Sequence, residues 1–547
     1  MKKSLSILLA LILLITTFIG CSGSEDELTY DQAVEKLRAF QSSGKATATT
    51  VEHQPDPTWI SNNVQIDELP SIDRYPISVQ GNGAINIEIF SSTEKASAKS
   101  ARWFDLMAQQ FNNEHRSVTI RPIASGAALD YLVTRKHIPD AYTPANELWI
   151  EIIKSSGVQV EELESRLVGN VAGILMNKTM NDTFKAQYGE INMSNVTQAV
   201  MDDNLILGHT NPNFSSTGLN IYLQELISFD SNNPFSDAAV AKFKDYQNKV
   251  PPVSNTTDDM ADVAVQGILD AIIMEAQEYS TRPTLADWIF TPVGVRHDSP
   301  VYALEGLSGD KLEVLKEFIA FCKTPAAQAE ATKAGFNQHD SYQGVRNQFT
   351  GAELRTALQI WKENKDGGKP VVSVFIVDRS GSMAGEKLNR TKIAINNSLK
   401  YINESNYIGL VSYSSPGNIT IDLPIDKFTP RQQALFVGAV NSFEAEGATA
   451  TNSALVVALN MLLDTKDTIP DARFRIILFT DGEQNQGLNL NQVIGTISGL
   501  NVPIYGVGFE ADVRDLEALA KVNESYCINA DSEDVVQKLR DLFITQL

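Results

Sequence analysis

Apolar and polar positions along this chain fall into two long structured blocks joined by a short polar stretch. In the first block, the β-branched run over 85–90 predicts a strand. Residues 95–112 carry Trp103, Phe104, Met107 and Phe111 on one side, the period of an amphipathic helix. Strands are predicted over 118–124, 167–176, 205–208 and 271–274. Helices are predicted opening at Ser125-Gly126, running to Trp149 and covering 219–228, with paired helices from about Ala303 to Lys333. A helix over 353–363 and the run Asn364-Lys365-Asp366-Gly367-Gly368-Lys369 read as a linker, 346–369. In the second block, strands are predicted over 371–377, 408–413, 475–479 and 502–507, alternating with helices over 386–402, 452–463, 491–497 and 533–543. That alternation predicts an α/β domain over 370–547, a sheet with helices on both faces.

The beginning of the chain has a different pattern. Met1-Lys2-Lys3 is basic, 5–19 is apolar but short for a membrane span, and Phe18-Ile19-Gly20-Cys21 leads into a polar, acidic run. This resembles a bacterial lipoprotein signal, with Phe18 in place of the more usual Leu. The resemblance implies a signal over 1–20, cleavage before Cys21, lipidation of its thiol and a protein anchored on the extracytoplasmic face of a cell membrane. A short amphipathic helix is predicted over 30–40, and 41–82 shows little period. The segment 21–83 therefore reads as a stalk, its Leu69-Pro70 and Tyr75-Pro76 steps favouring extended chain.

Composition narrows the function. The 547 residues allow two or three domains, and 43% hydrophobic with 20% charged residues is globular. A net charge of −22 argues against nucleic-acid binding, which needs basic patches for phosphates. His-Glu-x-x-His, Gly-x-x-x-x-Gly-Lys and Gly-x-Ser-x-Gly are all absent, so no enzyme mechanism is legible. Of three cysteines, Cys322 and Cys527 sit in helix and strand patterns of different blocks and read as core residues.

Candidate chemistry concentrates at strand ends. The strand over 371–377 runs into Asp378-Arg379-Ser380-Gly381-Ser382, placing a carboxylate and two hydroxyls on one tight loop. Thr449 lies on a loop between two predicted helices, and the strand over 475–479 ends in Thr480-Asp481. Hard oxygen groups converging there suit a small divalent cation. Order, spacing and context resemble the von Willebrand factor type A domain and its metal-ion-dependent adhesion site. The resemblance implies a doubly wound, Rossmann-like fold and Mg²⁺ or Mn²⁺ at Asp378, Ser380, Ser382, Thr449 and Asp481. It also implies a protein partner whose acidic side chain fills the ion's open position.

The first block resembles the two-lobed type II solute-binding proteins, especially those for oxyanions, over 84–345. A serine loop (Ser91-Ser92-Thr93) after the first strand carries this likeness, with Ala124-Ser125-Gly126 after the second and the run from Asn211 to Gly218 before a helix. In such proteins hydroxyls and helix N-terminal amides line a cleft for a small polar solute. Ser92, Ser125, Thr143, Ser215, Ser216 and Thr217 are the implied lining. Where the oxyanion-binding relatives carry a tyrosine, this chain has Glu275, an acceptor that cannot donate when ionised. The expectation is a hydroxylated or cationic solute, or loss of solute binding; a one-residue shift of register would instead turn Glu275 to solvent.

Together these readings predict a surface lipoprotein, not an enzyme, that binds a protein partner through the type A domain while the other domain senses a solute. The alternatives are the solute-binding component of an ABC importer and an accessory or assembly factor of an envelope enzyme.

Overall fold

A computed structural model describes residues 28–56, 69–113, 115–250, 260–261, 264–265, 267, 269–482, 484–509, 514–522, 525, 527–531 and 534–547. The expected signal and Cys21 lie outside these residues. The described chain divides into two units, one holding 28–56, 371–396 and 404–535, the other 69–370, 397–403 and 536–547. Among the described residues no helix is long and apolar enough to cross a membrane.

The chain begins in the first of these, the single-sheet unit, with helix Tyr30–Ser42 and strand β1 (Thr49–Thr50). It then builds the two-lobed unit. The first lobe takes β2 (Ile85–Ser91), β3 (Arg116–Pro122), β4 (Ala141–Thr143) and β5 (Val160–Glu164). The chain crosses to the second lobe for β6 (Val171–Asn177), β7 (Leu207–Gly208), β8 (Ala271–Glu275) and β9 (Trp288–Arg296), then returns for β10 (Val301–Leu304). The two sheets have the orders β3-β2-β4-β10-β5 and β7-β8-β6-β9.

Period-2 alternation sets which side chains reach which core. Along β2, Ile87 and Ile89 join Trp103, Phe104 and Phe318, whereas Phe90 joins Tyr131 and Tyr142 on the opposite face. Along β8, Ala271 and Ile273 pack with Leu219 and Leu223 of helix Ser216–Phe229, and Ile272 and Met274 face the other way. Glu275 continues the first of these sets.

The helix expected from residue 95 begins only at Trp103. The Asp105 carboxylate accepts the backbone N–H groups of Ser97 and Arg102 at 2.8 Å each, which caps the helix there. Cys322 is buried in the first lobe, and Cys527 lies in the other unit.

The single-sheet unit continues with β11 (Val371–Asp378), β12 (Tyr407–Tyr413), β13 (Ile419–Lys427), β14 (Arg473–Thr480), β15 (Ile504–Phe509) and β16 (Cys527–Ala530). Its strand order is β1-β13-β12-β11-β14-β15-β16, parallel except for the β12–β13 pair. β11 is buried along its whole length, as its apolar run predicts for a central parallel strand.

The stalk expectation needs correction over 28–56, which is folded onto this sheet. Ala33, Leu37 and Ala46 are fully buried with Leu455, Leu459, Val493 and Ile497. Gly499 permits the close approach, since a Cβ there would stand 2.7 Å from the Leu28 carbonyl oxygen and 2.8 Å from Ala33 Cβ. β1 pairs with β13 (Thr49 with Thr420), the Val51 N–H reaches the Ile421 carbonyl at 3.3 Å, and the Asp56 N–H reaches that of Ala434 at 2.8 Å. His53 Nε2 lies 3.0 Å from Asp422 Oδ1 in a largely buried pair. Leu28, Val34, Phe40 and Ala48 pack beside these buried side chains, and Arg38 reaches Asn460 at 2.8 Å; beyond the helix the docking is mostly through backbone hydrogen bonds, which leave little periodicity in sequence.

Candidate metal site and solute cleft

Two neighbouring parallel strands bring the first site together. β11 ends at Asp378 and β14 at Thr480, with Val377 paired to Phe479, so the two strand ends emerge side by side. Asp378 is buried. Its Oδ1 accepts the Ser380 backbone N–H at 2.8 Å, and its Oδ2 accepts the Thr480 hydroxyl at 2.6 Å. The hydroxyls of Ser380 and Ser382 lie 3.0 Å apart, and Ser382 donates to Asp481 Oδ1 at 2.8 Å. Four of the five expected residues thus form one hydrogen-bonded run.

Thr449 sits on an adjoining loop. The Gly381 N–H donates to the Gly447 carbonyl at 3.0 Å, and the Thr449 N–H donates to Asn485 Oδ1 at 3.0 Å. Thr449 is buried, and among the described residues its hydrogen bonds run through its backbone.

Burial pushes the Asp378 carboxyl above its ordinary range. The Asp481 carboxylate adds to that rise, and the hydrogen bonds from Thr480 and Ser380 oppose it. Two carboxylates and two hydroxyls are hard oxygen donors that suit Mg²⁺ or Mn²⁺. A cation is already held among them, because the Lys387 ammonium donates to Asp481 Oδ2 at 2.7 Å. Among the described residues no group of three acidic, histidine or cysteine side chains could hold a metal. An ion here would therefore depend on hydroxyls as much as on carboxylates, and the residues present fit that donor set. The supporting roles of Thr480 and Lys387 were not anticipated. Thr480 could have been found as the strand-end hydroxyl beside Asp481.

In the two-lobed unit, Ser92, Ser125, Ser215, Ser216, Thr217 and Glu275 line one cavity of about 300 Å³. The lobes close on it through the Gly126 N–H to the Phe214 carbonyl at 3.4 Å and the Ser216 hydroxyl to the Ser125 hydroxyl at 3.0 Å. Gly126 is needed for that closure, since a Cβ there would fall 2.2 Å from the Asn213 carbonyl oxygen.

Thr143 departs from expectation and supports the cavity from behind. Its carbonyl accepts the Ser92 N–H at 3.1 Å and the Lys95 ammonium at 2.9 Å, and its hydroxyl turns to the Ser299 carbonyl at 3.4 Å. Glu275 faces the cavity in the expected register. It accepts from the Thr217 hydroxyl at 3.0 Å, from the Asn170 amide at 3.0 Å and from His297 Nδ1 at 2.7 Å. Arg102, Glu94 and Glu278 also line this cavity and buried Lys95 stands behind it; none of the four was singled out from sequence. Glu94 directly follows the serine loop and could have been; His297 carries no local signal.

Comparison with known proteins agrees with both parts of the fold. A model of the von Willebrand factor type A domain matches residues 374–542, and one of a bacterial extracellular solute-binding protein matches 96–337. The inter-alpha-trypsin inhibitor heavy chain H3 of Mesocricetus auratus is 31% identical over 169 residues, 28% of this chain and 19% of its own length. The chain thus spans about a fifth of the length of the curated relatives it matches. Among solved structures, a von Willebrand factor type A protein from Catenulispora acidiphila is 21% identical, with a TM-score of 0.29 over 32% of this chain and 42% of its own. Iron-bound HitA from Pseudomonas aeruginosa is 12% identical, with a TM-score of 0.38 over 52% of this chain and 99% of its own. Both matched families are families of binding domains rather than enzymes. The chain joins a bacterial extracellular solute-binding domain to a von Willebrand factor type A domain.

Proposed function

We propose that this protein is a lipid-anchored, extracytoplasmic binding protein whose type A domain captures a protein partner through a divalent metal ion. The observation that carries the reading is the hydrogen-bonded run of Asp378, Ser380, Ser382 and Asp481 at two adjacent strand ends. Asp378, Ser380, Ser382, Thr449 and Asp481 would hold Mg²⁺ or Mn²⁺. When bound, the ion supplies a positive charge to an acidic side chain of the partner. Within the chain, Thr480 and the Ser380 N–H orient Asp378, and Lys387 holds the outer oxygen of Asp481. The solute-binding domain senses a small polar solute. Read as an importer component, the chain would feed a permease from the cleft while the type A domain holds a partner.

The test of the metal-dependent part is binding of the chain to an acidic-peptide library with Mg²⁺ and with chelator. Thr449→Ala is expected to weaken capture by about tenfold or more while leaving the urea midpoint within experimental error. Capture that is indifferent to chelator and to Thr449→Ala would refute the reading.

Anchoring is tested separately. Cys21→Ser is expected to abolish incorporation of labelled fatty acid and to move the protein out of the membrane fraction. Equal labelling of both forms would remove Cys21 as the anchor.

A further inference from the structure

The cavity between the lobes presents more acid than base. Glu94, Glu275 and Glu278 line it, against Arg102 alone among basic residues. Two of these acids are matched by cations of the protein itself. Lys95 Nζ lies 3.2 Å from Glu94 Oε1, and Arg282 donates to Glu278 Oε1 at 2.8 Å. Lys95 is wholly buried, and its ammonium is also tied to the Ser92 hydroxyl and the Thr143 carbonyl, so a solute in the cavity cannot reach it.

Glu275 is held by a different kind of partner. Its hydrogen-bond donors are a hydroxyl, an amide and an imidazole. The imidazole's protonation follows from its neighbours. Asn220 is locked by the Val295 backbone, accepting its N–H at 2.9 Å and donating to its carbonyl at 3.0 Å; Asn146 is oriented by the Leu148 N–H at 3.2 Å. Both amides therefore present N–H groups to His297 Nε2, at 3.1 and 3.0 Å. Nε2 accepts, so the single ring proton sits on Nδ1 and is donated to Glu275.

Burial works to raise the Glu275 carboxyl, but His297, the Thr217 hydroxyl and the nearby Lys95 charge together hold it below its ordinary value, so it keeps its charge. It stands beside Thr217, in the first turn of helix Ser216–Phe229, at the positive helix end where a bound anion would be favoured. The chain's own carboxylate already occupies that position. Crowding of like charges supports the same picture: burial first, then Glu275 and Glu94, push the Glu278 carboxyl above its ordinary value, against the lowering effect of Arg102.

We propose that this cavity binds a small hydroxylated solute carrying an ammonium group, which is held by Glu275 while cavity hydroxyls such as Ser125 and Ser215 meet the solute's own hydroxyls. The volume of about 300 Å³ is at the lower end for ligand pockets and suits a molecule of monosaccharide size. The proposal rests on reading this unit as a solute-binding domain and adds the charge of the solute.

The experiment is calorimetric titration of the full chain with glucosamine, glucose, inorganic phosphate and molybdate. Glucosamine is expected to bind saturably, glucose at least about tenfold more weakly, and the two anions not at all. Glu275→Gln is expected to weaken glucosamine by about tenfold or more. The contrast between glucosamine and glucose on the unaltered chain decides the charge preference if that variant fails to fold. Phosphate or molybdate binding as tight as glucosamine would overturn the proposal yet leave the solute-binding reading standing. Glucosamine binding no tighter than glucose, or glucosamine binding unchanged in the folded variant, would overturn it as well.

Discussion

The Asp378→Ala chain is expected to take up neither Mg²⁺ nor Mn²⁺ at concentrations that saturate the unaltered chain. Loss of an outer-shell partner typically costs a metal site about 10–100-fold in affinity, and loss of a charged group from the donor set should exceed about 100-fold. Asp378 is the buried carboxylate of the set, held by Ser380 and Thr480. Its substitution removes the charge on which the neutral hydroxyls of Ser380 and Ser382 depend for metal affinity. Asp481→Ala is expected to act in the same direction and also to release Lys387, whose ammonium now sits on that carboxylate. Calorimetry on the full chain, with a thermal scan to confirm folding, reads both effects. Unchanged Mn²⁺ uptake in the two variants would place the ion elsewhere.

The second large effect concerns the N-terminal segment. A chain lacking residues 28–56 is expected to unfold its single-sheet unit at markedly lower urea concentration, because the segment is part of that unit's core. Leu37→Ala alone should cost about 2–5 kcal/mol, the range for emptying a fully buried leucine site. Gly499→Val is expected to destabilise by a separate route, forcing the new side chain against Leu28 and Ala33. Amide exchange in helix Thr451–Lys466 should accelerate in these variants, whereas β2 and β6 of the two-lobed unit should exchange as before. An unchanged urea midpoint for the shortened chain would show that the segment is an accessory after all. The expectation also has a practical consequence, since a type A fragment begun near residue 370 would lack this helix and edge strand.

Much of the architecture was legible because the signals are local and contiguous. The apolar run over 371–377 followed by Asp378-Arg379-Ser380-Gly381-Ser382 describes a buried strand and its terminal loop within thirteen neighbouring residues, 371–383. Thr480-Asp481 repeats the same logic at the end of β14. The Ser215 cap of helix Ser216–Phe229 is likewise a short motif, its hydrogen bond to the Gly218 N–H made three residues away.

What the chain order could not decide is which of these ends meet, and which supporting residues stand between them. Ser382 and Asp481 are 99 residues apart, and their 2.8 Å contact exists only because β11 and β14 are neighbours in the sheet. Thr143 has the right residue type and nearly the right place, yet the pairing of β4 with β2 directs its carbonyl inward and its hydroxyl to Ser299. Glu275 was recognisable as a departure from a tyrosine pattern, but its direction depended on the register of β8 against β6, where it pairs with Ala172. Its hydrogen-bond partner His297 comes from beyond β9 and gives no sign of itself along the chain. The amphipathic helix over 30–40 was legible, but the core it packs on was not, and residues 49–56 dock through backbone groups that leave no period to read. Side-chain type and spacing therefore determined most of the elements and named the candidate site residues, whereas distances, orientations and charge partners were set by strand order and lobe closure, because those interactions join positions far apart in the chain.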